Sequence, residues 1–173
     1  MIELIRRNFT FINKEIFLKL YIAMIRPHLE YGQIIWSPHL IRQSKKIENV
    51  QRRATKIVPS LKDLPYENRL KKLKLPTLKY RRIRGDLINV YKLLSYDDHC
   101  PLLPLHKSRY PTRGHDKKLQ KNSHKCTLMK FSFSRRVTNM WNALKEVTTN
   151  ADTTNKFKKL LDDELKSKKY QFD

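Results

Sequence analysis

Residues 42–58 read RQSKKIENVQRRATKIV, and this stretch decides the fold class. Ile47, Val50, Ala54, Ile57 and Val58 recur every three or four positions, the period of one helix face. Lys45, Lys46, Arg52, Arg53 and Lys56 occupy the remaining surface. The pattern predicts an amphipathic helix with a buried apolar stripe and a cationic exterior, ended by Pro59.

The same period continues in both directions. Upstream, Phe17, Leu20, Tyr21 and Met24 give one apolar face to a helix that Asn13 can cap. Pro27 has no backbone donor, so a kink or break is expected near Arg26. Leu29, Ile34, Ile35 and Trp36 then carry the apolar surface on to Pro38. Downstream, Tyr66, Leu70 and Leu73 mark a short helix, and Ile83, Leu87, Tyr91 and Leu94 a longer one over residues 78–94.

Composition changes at His99. From there to Lys130 the chain holds Pro101, Pro104, Pro111 and Gly114 and no sustained apolar period, which reads as a long loop or linker. Short strands are compatible with CTLMKFSF at its end. Helical spacing returns in RRVTNMWNALKEV, where Val137, Met140, Trp141 and Leu144 share a face, and in residues 152–168, where Phe157, Leu160, Leu161 and Leu165 do. The expectation is a mainly α chain: a helical bundle over residues 1–98, a basic irregular linker over 99–130 and a small helical C-terminal part over 131–173.

The 173 residues suffice for one domain or two small ones with a real core. Their net charge of +22, from 38 Lys and Arg against 16 acids, would repel itself in a compact fold, so a polyanion is the expected partner. Nucleic acid comes first and an anionic membrane surface second. The excess is uneven. Residues 42–82 hold 14 cations and three acids, residues 107–136 ten and one, and residues 137–173 seven and six. Two basic segments of this kind read as a binding face. Three glycines provide no phosphate-cradling loop, which argues against a P-loop or Rossmann enzyme. Two cysteines make no disulfide framework, and Lys19, Arg26 and Glu30 interrupt the one long apolar stretch, so a soluble intracellular protein is expected.

Three catalytic readings fail on pattern. Tyr96-Asp97-Asp98 resembles a polymerase metal turn, but that chemistry needs carboxylates from separate strands around two metal ions. Here the pair follows a helical pattern, LINVYKLL, and reads as a helix end. His28 and Glu30 give a His-x-Glu pair without the downstream Pro-Cys-x-x-Cys of zinc deaminases. His99, Cys100, His106, His115, His124 and Cys126 match no zinc-site spacing, and no nucleophile–base constellation is visible. Neither a cofactor nor a small-molecule substrate is implied.

A series of phrases in order carries a resemblance. RRNFTFINKEIFLKLYIAMIRPHLEYGQIIWSPH leads to KKIENVQRRATKIV, then to LPYENRLKKLKLPTLKYRRIRGDLINVYKLL, TRGHDKKL, KFSFSRRVTNMWNAL and FKKLLDDEL. Over essentially the whole chain this resembles the region downstream of the catalytic palm in Jockey-like non-LTR (LINE-type) retrotransposon reverse transcriptases. The resemblance implies that residues 1–95 form the thumb, a helical bundle that packs on the palm and grips the template–primer duplex, and that the rest is a C-terminal extension. It implies a palm with a Phe/Tyr-Ala-Asp-Asp motif upstream of this segment, no polymerase activity in this chain alone, and nuclear action. One departure stands out: Ala143-Leu144-Lys145 replaces the family's Leu-Pro after Trp-Asn, which could lengthen that helix.

The expected nucleic-acid contacts are phosphate contacts from Lys45, Lys46, Arg52, Arg53, Lys56, Arg81 and Arg82 in the first basic segment. Arg113, His115, Lys117, Lys118, Arg135 and Arg136 are the candidates in the second. RNA, DNA or an RNA–DNA hybrid would serve as ligand, the hybrid being recognised by shape. Trp36, Tyr66, Tyr91 and Trp141 could stack on bases, but their helical positions favour the core. The competing readings are a protein-interaction module whose apolar faces dock on a palm, and a non-functional retroelement relic.

Overall fold

The computed structural model describes residues 1–96, 100–106, 114–121 and 127–167, and they are mainly helical. Two compact units emerge, which divide between Arg82 and Ile83 rather than after residue 98. The first begins with a helix that the periodicity did not reveal, α1 (Ile2–Asn8), with Glu3 in its first turn and Arg6 and Arg7 in its last, as the helix dipole favours. α2 (Lys14–Leu20) is capped as expected, Asn13 Oδ1 accepting from the Ile16 amide at 2.8 Å. Pro27 does not break the chain. A π turn over Tyr21–Ile25 accommodates the proline, and the helix runs on as α3 (Arg26–Glu30). Gly32, at φ +62°, turns the backbone into the short α4 (Gln33–Trp36).

α5 (Ile41–Ala54) is the helix predicted from residues 42–58, its last turn tightening to 3-10 geometry at Thr55–Ile57. Its inward face differs from the expected stripe. Gln51 and Ala54 are fully buried, whereas Ile47 and Val50 are only half-buried. α6 (Tyr66–Leu73) ends in a Schellman turn: the Leu75 amide donates to Leu70 O at 3.0 Å and the Lys74 amide to Lys71 O at 3.2 Å, with Lys74 left-handed at φ +53°. Ile5, Phe17, Tyr21, Ile25, Ala54 and Leu70 are central to the core these helices enclose.

α7 (Leu78–Tyr96) starts at Thr77, whose hydroxyl accepts from the Tyr80 amide at 3.2 Å. In the second unit Leu87, Tyr91 and Leu94 are buried as the spacing predicts, and Tyr91 stacks on Phe157 at 4.3 Å. The segment compatible with short strands holds none where it is described: Thr127–Lys130 is helical, Phe131 and Ser132 turn, and the next helix starts at Phe133. α8 (Thr127–Lys130) closes locally, the Ser132 amide and hydroxyl both donating to Met129 O, so no partner strand is needed. Among the described residues the only β pairing is an isolated bridge, Leu105 to Leu119. α9 (Phe133–Asn142) stops at Asn142 and α10 (Glu146–Thr149) follows, so the missing proline does not lengthen the helix. At this end the Asn142 side-chain amide exchanges two hydrogen bonds with the Leu119 backbone, at 2.8 and 2.9 Å. α11 (Thr154–Ser167) buries Phe157, Leu161 and Leu165.

Residues 100–106 and 114–121 belong to this packed unit. Trp141, wholly buried, donates its indole N–H to Lys117 O at 2.7 Å, and its own carbonyl bonds His115 Nε2 at 3.1 Å. Asp86 and Arg136 form a bidentate pair at 2.9 and 3.1 Å that joins α7 to α9 with little solvent on either side chain.

Two outcomes test this packing. Lys74→Gly is expected to raise stability by about 0.5–1 kcal/mol, because it removes left-handed strain at some cost in unfolded-state entropy, read as a higher urea midpoint at constant m. Asp86→Ala leaves Arg136 buried without its carboxylate and should cost about 3–5 kcal/mol in the same assay.

Candidate nucleic-acid interface

The first basic segment becomes a face because α5 is pinned on its other side. Ser44, Glu48 and Gln51 lie at i, i+4 and i+7, and all three bond inward. Ser44 Oγ accepts from Arg82 Nη2 at 2.7 Å. Glu48 accepts from Tyr66 Oη at 2.5 Å and from the Leu78 amide at 3.1 Å. Gln51 accepts from Tyr21 Oη at 2.6 Å and donates to Pro76 O at 3.0 Å. With this register fixed, Lys45, Lys46, Arg52, Arg53 and Lys56 all face solvent. Lys45, Arg52 and Lys56 follow one stripe at i, i+7 and i+11, and Lys46 and Arg53 the next.

The two stripes have different surroundings. The Arg52 guanidinium lies 4.8 Å over the Tyr66 ring, which holds it in place while leaving its edge exposed. Burial, then the bond to Glu48, pushes the Tyr66 hydroxyl well above its ordinary range, so it stays a neutral donor. Arg69 approaches the same ring at 5.6 Å but is buried, with Nε and Nη1 lacking a hydrogen-bond partner among the described residues. Desolvation lowers its pKa, with the Tyr66 hydroxyl opposing and Arg52 adding to the shift. Nothing in the local sequence distinguishes Arg69 from its solvated neighbours Lys71 and Lys72.

The other expected contacts do not all join this face. Arg81 makes a bidentate pair with Glu30, its Nη2 lying 2.9 Å from Oε2, and Arg82 is buried on Ser44; both are structural. In the second segment Arg113 lies outside the described residues, as do Asp97, Asp98 and His99. Lys117 is exposed and Lys118 half-buried. Arg135 is half-buried, and Arg136 is held by Asp86 and lies 5.4 Å from the Phe133 ring. His115 is a correction: it is 1% exposed, packed edge-on against Trp141 at 6.0 Å, and no phosphate can reach it. Tyr91 and Trp141 are core residues and Tyr66 is half-buried, while Trp36 remains 39% exposed. Among the described residues no group of His, Cys, Asp and Glu could hold a metal ion, and no helix is long and apolar enough to cross a membrane. The chain matches no known family model, no curated protein and no solved structure.

His115 carries a pH prediction. Burial lowers its pKa, since Nε2–H already serves the Trp141 carbonyl and a second proton would place charge on enclosed Nδ1. In the unfolded chain it protonates near 6.5. The unfolded state therefore binds more protons below that value, and stability must fall as pH drops through about 6.5. His115→Leu should flatten this slope in the melting temperature between pH 7.5 and 5.5. An identical slope in both proteins would place the effect elsewhere.

Proposed function

We propose that this chain binds nucleic acid through the solvent face of α5, gripping the phosphate backbone without reading sequence. The observation that carries this reading is the set of five exposed cations, Lys45, Lys46, Arg52, Arg53 and Lys56, on one helix whose opposite side is pinned by hydrogen bonds. A rigid array of flexible cationic heads suits phosphates, which give affinity and orientation rather than sequence preference.

The likeness of the quoted phrases to the segment downstream of the palm in LINE-type reverse transcriptases supports a more specific version. In it residues 1–95 are a thumb that holds an RNA–DNA template–primer duplex in the nucleus, beside a palm supplied by another part of the polymerase, and polymerise nothing by themselves. A protein-docking role is the second reading, favoured by Tyr31, Ile35 and Ile41, which are 85, 90 and 74% exposed.

Fluorescence anisotropy with a labelled RNA–DNA hybrid tests the binding. Five neutralised phosphates give a log–log salt slope of roughly −4, a loss of order 10²–10³-fold in affinity between 50 and 200 mM salt. The variant Lys45→Ala/Lys46→Ala/Arg53→Ala/Lys56→Ala should flatten that slope by about one for each lost contact. A slope that the variant leaves unchanged refutes the assignment to α5.

A further inference from the structure

α1, α3, α5 and the 3-10 turns after α5 enclose a cleft of about 660 Å³ within the first unit. Its floor is aliphatic: Ile25 is buried, and Leu29, Val50 and Ile57 are half-buried and face the opening. Its rim is cationic: Arg6, Arg53, Lys56 and Lys62 are all exposed. Glu3, the one acid in the lining, lies 3.8 Å from Arg6.

We propose that this cleft is a docking groove for an acidic amphipathic helix of a partner protein. The two chemistries of the groove have to be met together. A row of apolar side chains at i, i+3, i+4 and i+7 would remove the three half-buried floor residues from water, and flanking Asp and Glu would meet the rim on both sides. Nucleic acid satisfies only half of this, because the four floor residues are aliphatic and the one ring in the lining, the exposed His28, is not among them. A flat membrane surface cannot reach a concave floor. A second copy of a chain with net charge +22 would bring like charge to the rim. The groove thus selects for hydrophobic spacing and negative charge at once, and it does so whether or not α5 binds nucleic acid.

The probe is a labelled 18-residue peptide with leucines on one helical face and glutamates on the others, compared with a scrambled peptide of the same composition. The striped peptide should bind at least tenfold more tightly than the scrambled one. Arg6→Glu/Lys62→Glu, a surface change at two residues outside the proposed nucleic-acid face, should weaken the striped peptide tenfold or more with the melting temperature unchanged. Leu29→Ser should do the same through the floor. Equal binding of the two peptides, or no loss in Arg6→Glu/Lys62→Glu, overturns the proposal. So does a 12-nucleotide RNA that loses affinity by the same factor on Leu29→Ser, since the floor would then belong to nucleic acid.

Discussion

Gln51 is sealed from water at the middle of the first unit, and both ends of its amide are in use. The carbonyl accepts a hydrogen bond from the Tyr21 hydroxyl in the π turn, and the N–H₂ group donates to Pro76 O just ahead of α7. One turn earlier on α5, Glu48 joins Tyr66 on α6 to the first amide of α7. Two residues therefore fix α5 against three other segments, and they do so with groups that tolerate only one register. An apolar stripe alone could slide or rotate by part of a turn with little change in buried area. A buried polar group moved off its partner loses its hydrogen bond without regaining water, at roughly 1–3 kcal/mol each. This constraint is what turns a basic sequence into a basic face.

The second unit repeats the device with different residues. Asn142 and Trp141, adjacent on α9, hold the backbone of Leu119, Lys117 and the ring of His115, and so convert a proline-containing basic stretch into part of a core. Asp86 and Arg136 then tie α7 to α9, and Arg84 ties α7 to α11 through Asp162, with 2.5 and 2.9 Å contacts. The residues that make these links sit inside the phrases that carry the resemblance: Glu48 and Gln51 in ENVQRRATK, Asp86 in GDLINVYK, His115 in TRGH, Arg136 in SFSRR, Trp141 and Asn142 in MWNAL. Such phrases look like surface chemistry in one dimension, being rich in Arg, Asp, His and Asn. In three dimensions each of them also supplies polar ties of a helical fold, beside cations that stay at the surface.

That difference sets how far the sequence could be read. The helices of α5, α6, α7, α9 and α11 were legible because each has an apolar period that burial makes obligatory, and Asn13 was legible because capping is a local bond. Gln51 and His115 were not, since a polar residue declares its burial only through a partner 25 or more residues away. Arg81, Arg82 and Arg136 were counted as binding residues on charge alone, and charge does not say whether an acid or a hydroxyl inside the fold holds the guanidinium. Pro27 was read correctly as a disturbance, but a π turn ahead of it accommodates the proline with less disruption than a break. The solvent exposure of the five cations of α5 was legible because they occupy the side of an amphipathic helix that the apolar period leaves over.

The acids complete the electrostatic picture. Of the 16 in the chain, Glu30, Glu48, Asp86, Asp162 and Glu164 direct their carboxylates at partners inside the units, whether guanidinium groups, a phenol, backbone amides or the Thr148 hydroxyl. Negative charge used in this way stabilises the fold but does little to screen the exterior. Three of these acids pair with Arg81, Arg84 and Arg136, so they take equal positive charge out of play, and the excess stays concentrated where acids are sparse, as on α5 with its only acid turned inward. Repulsion among its lysines and arginines opposes folding, and a polyanion laid along the face relieves it. Binding and stability are thus coupled by the same charges: whatever anion occupies α5 must also raise the stability of the first unit, in proportion to how tightly it holds the folded over the unfolded chain.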